Sequence, residues 1–247
     1  MADIFQEPQT HMWSQIEQCL YYQYRNHFDK VKPYLDRLFQ EGLEETRDTW
    51  GRITARACLA GHVDREQLFT FLKIASGKVR QGVARVFSAN LGQREYTATC
   101  HVGLLIILRY GDLTDDILRT IEGCFGRDSN FGLIQDELAF AYIDALSTAE
   151  ELHNIYHFLE WLALRSRRDP LAALKLTESL ADKLEQRNQS QGFWPTEPLI
   201  ATLIEILREA DETDDATMIQ RAIQLQDRLL KMHLRDMETL LDRAARN

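Results

Sequence analysis

The sequence predicts an all-α fold over residues 1–247, an α-solenoid in which consecutive pairs of helices stack on one another. Apolar residues recur at intervals of three and four almost from end to end, whereas the strict alternation typical of strands is hard to find. Only 12 Gly and 5 Pro occur among 247 residues, which leaves few turn-forming residues for a strand-rich fold. A pattern that recurs at the start of three predicted helices favours stacked pairs.

The apolar periodicity predicts eleven or twelve helices. The first two span 13–24 and 28–41, and the second contains Pro33, which either kinks that helix or starts it. If Pro33 starts the helix, residues 26–32 form a loop or a short turn. The remaining helices are predicted over 44–60, 64–75, 78–91, 95–109, 114–126, 131–146, 149–167, 170–188, 196–210 and 214–244.

Capping and turn-forming residues separate these helices. Gly61 follows one helix as a C-cap, Asp64 precedes the next as an N-cap, and Asp169 stands before Pro170 at a first-turn position. The segment 186–198 is polar and contains both Gly and Pro, which is typical of a linker. We therefore expect a single domain with a possible sub-boundary in that segment.

The last predicted helix is unusually long. Its apolar stripe is interrupted by Gln226 and His233. We expect it to cap the solenoid, because a terminal repeat must cover an otherwise exposed core face; packing against a partner helix is the alternative. The acidic run before it, 209–217, is predicted to be a solvated turn, with Asp214 and Asp215 at the N-terminus of the last helix.

An arginine followed four positions later by a small residue marks the three similar helix starts. Such an arginine can bridge backbone or acidic groups of adjacent repeats, and a small residue one turn on allows two helices to approach closely. The pairs are Arg47 with Gly51, Arg80 with Ala84, and Arg119 with Gly123.

At these residues the chain resembles HEAT repeat proteins, whose second helices commonly begin with an acidic or small residue, then Val-Arg, then Ala. The segment SGKVRQGVARVF matches that pattern best, whereas Arg47 lacks the preceding Val and Arg119 follows Leu. The resemblance implies an α-solenoid of HEAT-like helical pairs.

A longer stretch, over most of residues 21–245, is similar to the C-terminal helical region of large bacterial NACHT-type or STAND NTPases. The runs that carry this similarity include HFDKVKPYLDRLF, WGRITARACLAGH and CHVGLLIIL. The similarity implies a sensor or partner-binding role in antiviral defence. The NTPase itself is not expected in this chain, because GxxxxGK[ST] does not occur in the sequence.

Composition restricts the class of function further. The formal net charge of −9 opposes general duplex binding, because phosphate neutralisation supplies most non-specific affinity for nucleic acid. Four separated cysteines without a CxxC pair indicate reduced, buried thiols in a cytoplasmic protein. No run of apolar residues approaches the length of a membrane span, and the acidic start MADIFQEPQ is unlike a signal peptide. We expect no membrane association and no cofactor.

The sequence contains one arrangement that suits a metal. His153 and His157 lie four residues apart on one helix face, with Glu150 or Glu160 as further ligands, but Asn154 stands where a zincin has Glu. We expect surface histidines there, and a metal-dependent enzyme is the less favoured alternative. Cys100 and His101 are adjacent in a helix and point about 100° apart, so they cannot form a catalytic hydrogen bond with each other.

A nucleic-acid-binding or repair solenoid is the second alternative. Four tryptophans invite that comparison, although large aromatic residues at helical spacing are usually core residues. The densest basic patch stands at a predicted helix end, where cations bind free carbonyl groups; it consists of Arg165, Arg167 and Arg168.

The function that we predict is therefore non-enzymatic binding of a protein partner. In a solenoid the inner face offers an extended groove, and the second helices at 44–60, 78–91 and 114–126 line it. Polar residues beside the repeated arginine and small-residue positions are the candidates for that surface: Arg52, Arg56, Arg85, Asn90 and Arg127.

Overall fold

The computed structural model describes residues 23, 27–34, 36, 44–110, 113–128, 134–146, 155–186 and 196–231. These residues form helices, turns and short connections, and none of them belongs to a strand. The predicted all-α class is thereby confirmed for the part of the chain that the structure describes.

Ten helices have defined bounds, and nearly all lie within their predicted spans. Only the helices Gly77–Asn90 and Thr196–Glu212 extend slightly beyond the prediction. They are α1 (Glu44–Leu59), α2 (Arg65–Leu72), α3 (Gly77–Asn90), α4 (Thr97–Arg109), α5 (Asp115–Phe125), α6 (Asp136–Leu146), α7 (Tyr156–Ser166), α8 (Pro170–Gln186), α9 (Thr196–Glu212) and α10 (Ala216–Lys231).

Some predicted elements lie partly or wholly outside the described residues. These are the helix at 13–24, the start of 149–167, most of the linker at 186–198, and the last helix beyond Lys231. Residues 27–34 are helical on both sides of Pro33. The alternative of a loop before that proline is therefore wrong from residue 27 onward.

The chain divides into two compact units, Met1–Ile121 and Glu122–Asn247, and the boundary falls within α5. In the first unit α1 packs against α3, α2 against α4, and α3 against α4. In the second unit α6 packs against α8, α7 against α9, and α8 against α10. The helices α7 to α10 also pack against their sequence neighbours, so each unit combines contacts between successive helices with contacts to the next but one.

Two glycines allow α1 and α3 to cross at very short range. A Cβ atom at Gly51 would overlap the carbonyl oxygen of Val79, and one at Gly82 would overlap the carbonyl oxygen of Asp48. The predicted close approach at Gly51 is confirmed, whereas the equally important Gly82 was not predicted. The expected close approach at Gly123 is wrong, since no described atom outside its chain neighbours and the backbone of its own helix lies within 4 Å of a Cβ built there.

The predicted caps stop and start helices where expected. Gly61 has φ of +80° and ends α1, with its N–H donating to Cys58 and the N–H of His62 donating to Ala57. The Asp64 carboxylate accepts a hydrogen bond of 2.9 Å from the N–H of Gln67 and so begins α2. At the start of α8, Asp169 accepts a bond of 3.1 Å from the N–H of Ala172.

Helix α6 begins later than predicted because a buried carboxylate holds the preceding residues. Asp128 is 1% exposed. Its carboxylate accepts a hydrogen bond of 3.0 Å from the N–H of Ile134 and one of 3.1 Å from the indole N–H of Trp161. Ile134 is therefore tied to Asp128 and not to a helical turn. Trp161 is a core residue of the second unit, in edge contact with Phe125 at 5.2 Å between ring centroids. Trp13 and Trp194 lie outside the described residues.

Candidate binding surface

Two arginine side chains, one from α1 and one from α3, contact the same carboxylate oxygen of Asp48. Nη2 of Arg52 lies 3.0 Å from Oδ2 of Asp48 in an ion pair, and Arg85 donates from Nη1 to the same oxygen at 3.0 Å. Asp48 and Arg52 lie one turn apart on α1, and the glycine crossing brings Arg85 of α3 alongside them. We call Asp48, Arg52 and Arg85 the arginine cluster.

The cluster lies at the surface, with its carboxylate largely covered. The side chain of Asp48 is 12% exposed, whereas those of Arg52 and Arg85 are 28% and 44% exposed. Oδ1 of Asp48 is buried and has no hydrogen-bond donor among the described atoms. Two guanidinium groups thus share one oxygen of this carboxylate.

The structure unites only part of the predicted surface. Arg56 is half-buried one turn beyond Arg52, on the same face of α1. Asn90 instead lies at the end of α3. Its side chain donates a hydrogen bond of 2.8 Å to the carbonyl of Val86 and accepts one of 2.8 Å from the side chain of Gln93. Arg127 belongs to the second unit, where its Nη2 lies 3.8 Å from Sγ of Cys124.

The sequence analysis did not identify three polar residues that the structure places in or next to these contacts: Asp48, Gln81 and Asp116. Asp48 is the shared acceptor of the arginine cluster, and Gln81, 3% exposed, donates 3.0 Å to Oδ2 of Asp116 on α5. The i, i+4 spacing of Asp48 and Arg52 was a usable signal for the first of these. Nothing in the sequence connects Gln81 with Asp116, because that contact depends on how α3 and α5 pack.

The repeated arginines have three different environments. Arg80 is 4% exposed and donates from Nε to the carbonyl of Leu72 at 2.9 Å and from Nη2 to that of Lys73 at 3.0 Å. Arg80 thus binds backbone carbonyl groups as predicted, although those groups lie in and directly after α2, the first helix of its own pair, and not in an adjacent repeat. Arg119 is exposed on α5, and Arg47 is half-buried on α1.

The arginines at the end of α7 are engaged with carboxylates. Arg165 lies 3.1 Å from Asp136 and 3.5 Å from Asp169, and Arg167 lies 3.3 Å from Glu205. These ion pairs give the patch a role in joining helices of the second unit. Its position at the end of α7 agrees with the prediction that it marks a helix end, whereas the carboxylate partners were not predicted.

The predicted metal arrangement is described only in part. His153 and Glu150 lie outside the described residues, and Nδ1 of His157 lies 3.8 Å from Glu160. Within the described residues no group of three or more His, Cys, Asp or Glu side chains is arranged to hold a metal ion.

Glu122, a buried carboxyl group on α5, holds the beginning of α7. Its Oε1 accepts a hydrogen bond of 2.6 Å from the N–H of His157, and the residue is 5% exposed. Burial raises the pKa of Glu122 above its usual value, and the opposing effects of the backbone N–H groups of His157 and Phe158 are smaller.

The cysteines of the described residues are buried free thiols: Cys58, Cys100 and Cys124. Burial, followed by the nearby carboxylate of Asp64, raises the pKa of Cys58 to about 11. A thiol that stays protonated in this way is a poor nucleophile. Cys100 and His101 are both buried on α4.

Among the described helices, none combines the length and the apolar character that crossing a membrane requires. No protein-family model, curated protein or solved structure matches this chain. The surface itself therefore carries the functional argument.

Proposed function

We propose that this chain is a protein-interaction module, an α-solenoid of HEAT-like helical pairs that binds a protein partner and has no catalytic activity of its own. Contacts between successive helices and between next-but-one helices occur within each unit and support the solenoid, because stacked pairs make contacts of both kinds. In its sharper form, the proposal makes the chain the sensor or partner-binding part of a bacterial defence-type NTPase system.

The observation that carries the proposal is the arginine cluster on a rigid support. Arg52 and Arg85 project from two helices whose backbones are in direct contact at Gly51 and Gly82. Arginine groups held in this way lose little freedom when a partner binds. Enrichment in arginine is also typical of binding surfaces, where a few such side chains supply most of the affinity.

Charge reversal tests the proposal. We expect the triple variant Arg52→Glu, Arg56→Glu, Arg85→Glu to lose the partner that the wild-type chain captures by cross-linking in its native cell. Because the reversal leaves the largely covered carboxylate of Asp48 without its arginine partners, we expect a lower thermal midpoint, and capture is compared at a temperature at which circular dichroism shows the variant to be folded. Partner identity is read by mass spectrometry of the cross-linked species.

The matched control reverses the same number of charges elsewhere. Arg65, Arg94 and Lys175 are exposed and lie outside the arginine cluster, so their joint replacement by Glu should leave capture intact. If both triple variants capture the partner fully, the surface assignment is wrong. If both lose it, net charge and not the cluster governs binding.

The same arginines favour one other function, nucleic-acid binding, because a guanidinium group also pairs with phosphate. On that alternative the wild-type chain would bind duplex or single-stranded oligonucleotides, with an affinity that falls steeply with salt concentration. We rank it second because the chain as a whole carries a formal charge of −9.

A further inference from the structure

We propose that two copies of this chain associate through a second apolar face of α10, packed against the same face of the other copy. We call this face the outer stripe; it consists of Ile219, Ile223, Gln226 and Leu230. The outer stripe lies in the second unit, is separate from the arginine cluster, and adds a second interaction to the one proposed above.

Helix α10 has two apolar faces, and its own unit buries only one of them. The buried face consists of Met218, Ala222, Leu225 and Leu229. In the outer stripe Ile223 is 47% exposed, and the other three side chains are only partly buried. A surface helix normally turns a single apolar face to the core and polar residues to the solvent. The outer stripe is therefore apolar surface beyond what the fold of this unit needs.

Ion pairs with α8 fix the direction in which the outer stripe faces. Arg221 makes a two-bond fork with Glu178, at 3.0 Å from Nε to Oε1 and 2.6 Å from Nη2 to Oε2. Arg228 repeats this contact two turns later with Glu185, with both bonds at 2.9 Å. Because Ile223 follows Arg221 by two residues and a helix turns about 100° per residue, the two side chains leave α10 on nearly opposite sides. The outer stripe therefore points away from α8.

The spacing of the outer stripe suits a second helix. Its members are separated by four, three and four residues, which is the heptad spacing of helices that pack side by side along a seam. In the sequence beyond Lys231 the same spacing continues with His233, Met237 and Leu240. The complementary surface is therefore a helix with a stripe of the same period.

The polarity of α10 favours a second copy of this chain as the source of that helix. Among the exposed residues of α10 the charged ones are Asp227 and Lys231, whose charges cancel, so this surface does not select a strongly charged partner. Gln226 interrupts the stripe with an amide that both donates and accepts, and the amide of a second copy can satisfy it. A second copy offers the same spacing and the same interruption, as a two-fold contact between identical surfaces requires.

Sedimentation velocity of the full chain over a range of concentrations tests the proposal. We expect a reversible equilibrium between monomer and dimer. Ile223→Glu should weaken the dimer about a hundredfold or more, because an isoleucine loses its burial on each side of the contact. Since Ile223 is exposed in the single chain, the variant should keep the circular dichroism spectrum of the wild type.

The matched control is Ile74→Glu, which makes the same change of charge at a residue that is 83% exposed in the first unit. It should leave the dimer unchanged. Gln226→Leu removes the polar interruption and should tighten the dimer. Rising salt concentration should not weaken the wild-type dimer, because an apolar contact needs no attraction between charges and salt screens the repulsion between two acidic chains.

A wild-type chain that stays monomeric at every concentration would overturn the proposal, and so would equal association of the wild type and Ile223→Glu. Loss of the dimer in both glutamate variants would also overturn it, because net charge and not the outer stripe would then govern association. If the wild type is monomeric and Ile223→Glu loses the cellular partner, the outer stripe binds a different protein and the second copy is the wrong occupant. The charge-reversal test of the arginine cluster is read independently of all these outcomes.

Discussion

Glu122 links the protonation state of one buried carboxyl group to the stability of the second unit. Its pKa is raised by burial, so the folded chain binds a proton more tightly than the unfolded chain does. Between the unfolded pKa and the raised folded pKa, folding takes up protons, and stability falls as the pH rises. His157 and Glu160 are the titratable groups that act on it.

We predict that Glu122→Gln removes this pH dependence. As the pH rises from 4.5, the wild type should lose thermal stability while the variant does not, so the difference in thermal midpoint, variant minus wild type, should increase. The difference should become constant once Glu122 is fully ionised in the folded chain. Glu122→Ala, which also removes the acceptor for the His157 N–H, should be less stable than Glu122→Gln by about 0.5–2 kcal/mol at every pH. Parallel melting curves for the wild type and Glu122→Gln across this range would contradict the prediction.

Individual residues of the binding surface were predictable to different degrees. Arg52 and Arg85 were identified because they flank the repeated pattern, and the structure brings them together at Asp48. Asn90 was assigned to the same surface for its position alone, yet its amide is occupied with the end of α3. Sequence position does not indicate whether a polar side chain turns to its own backbone or to the surface.

At the scale of elements, the crossing of α1 and α3 depends on two glycines, whose lack of a Cβ atom lets the helix backbones touch. Gly51 and Gly82 place the backbone of each helix against the other, so that side chains are excluded from the contact. Gly123 occupies the equivalent place in the repeated pattern, but no described atom outside its chain neighbours and the backbone of its own helix lies within 4 Å of its would-be Cβ. Glycine therefore permits a close helix crossing at Gly51 and Gly82, whereas Gly123 takes part in no such contact among the described residues.

We predict that alanine substitutions separate these roles. Gly82→Ala should destabilise the chain by about 1–3 kcal/mol, because its methyl group overlaps backbone that cannot move independently of α1. Gly123→Ala should stabilise it by about 0.5–1 kcal/mol, because alanine favours a helix interior over glycine. Urea unfolding measures both, and a stabilising Gly82→Ala would show that the crossing is looser than described.

Helix positions could be predicted from the sequence because periodicity and caps are local properties. Gly61 and Asp64 end one helix and begin the next through contacts within a few residues, and both were identified in advance. The start of α6 was not, because Ile134 is held by the side chain of Asp128, a contact that helix periodicity does not predict. Errors arise where long-range contacts displace a local preference.

At the scale of the molecule, two compact units share one chain. Each unit contains a tryptophan that can report on its unfolding: the partly buried Trp50 contacts Phe71 edge-on in the first, and Trp161 lies in the aromatic core of the second. In a solenoid, stability is a sum of local terms, so a perturbation in one region has limited effect on a distant one. In a single globular domain the whole chain would unfold together.

We predict that the two tryptophans report different unfolding transitions. In a background with Trp13 and Trp194 replaced by Phe, variants that retain either Trp50 or Trp161 should show different midpoints in urea. Adding Gly82→Ala should shift the Trp50 transition more than the Trp161 transition. Coincident transitions that shift by the same amount would argue against an α-solenoid.

The glycine crossing also restricts how this chain can diverge in evolution. Positions 51 and 82 accept no larger residue without moving a helix backbone, whereas the partly exposed side chains around them are under no such steric restriction. Distant relatives would then keep the two glycines in adjacent stacked helices after their surfaces had become dissimilar. A search guided by that pair, and not by overall side-chain similarity, is the one suited to finding them.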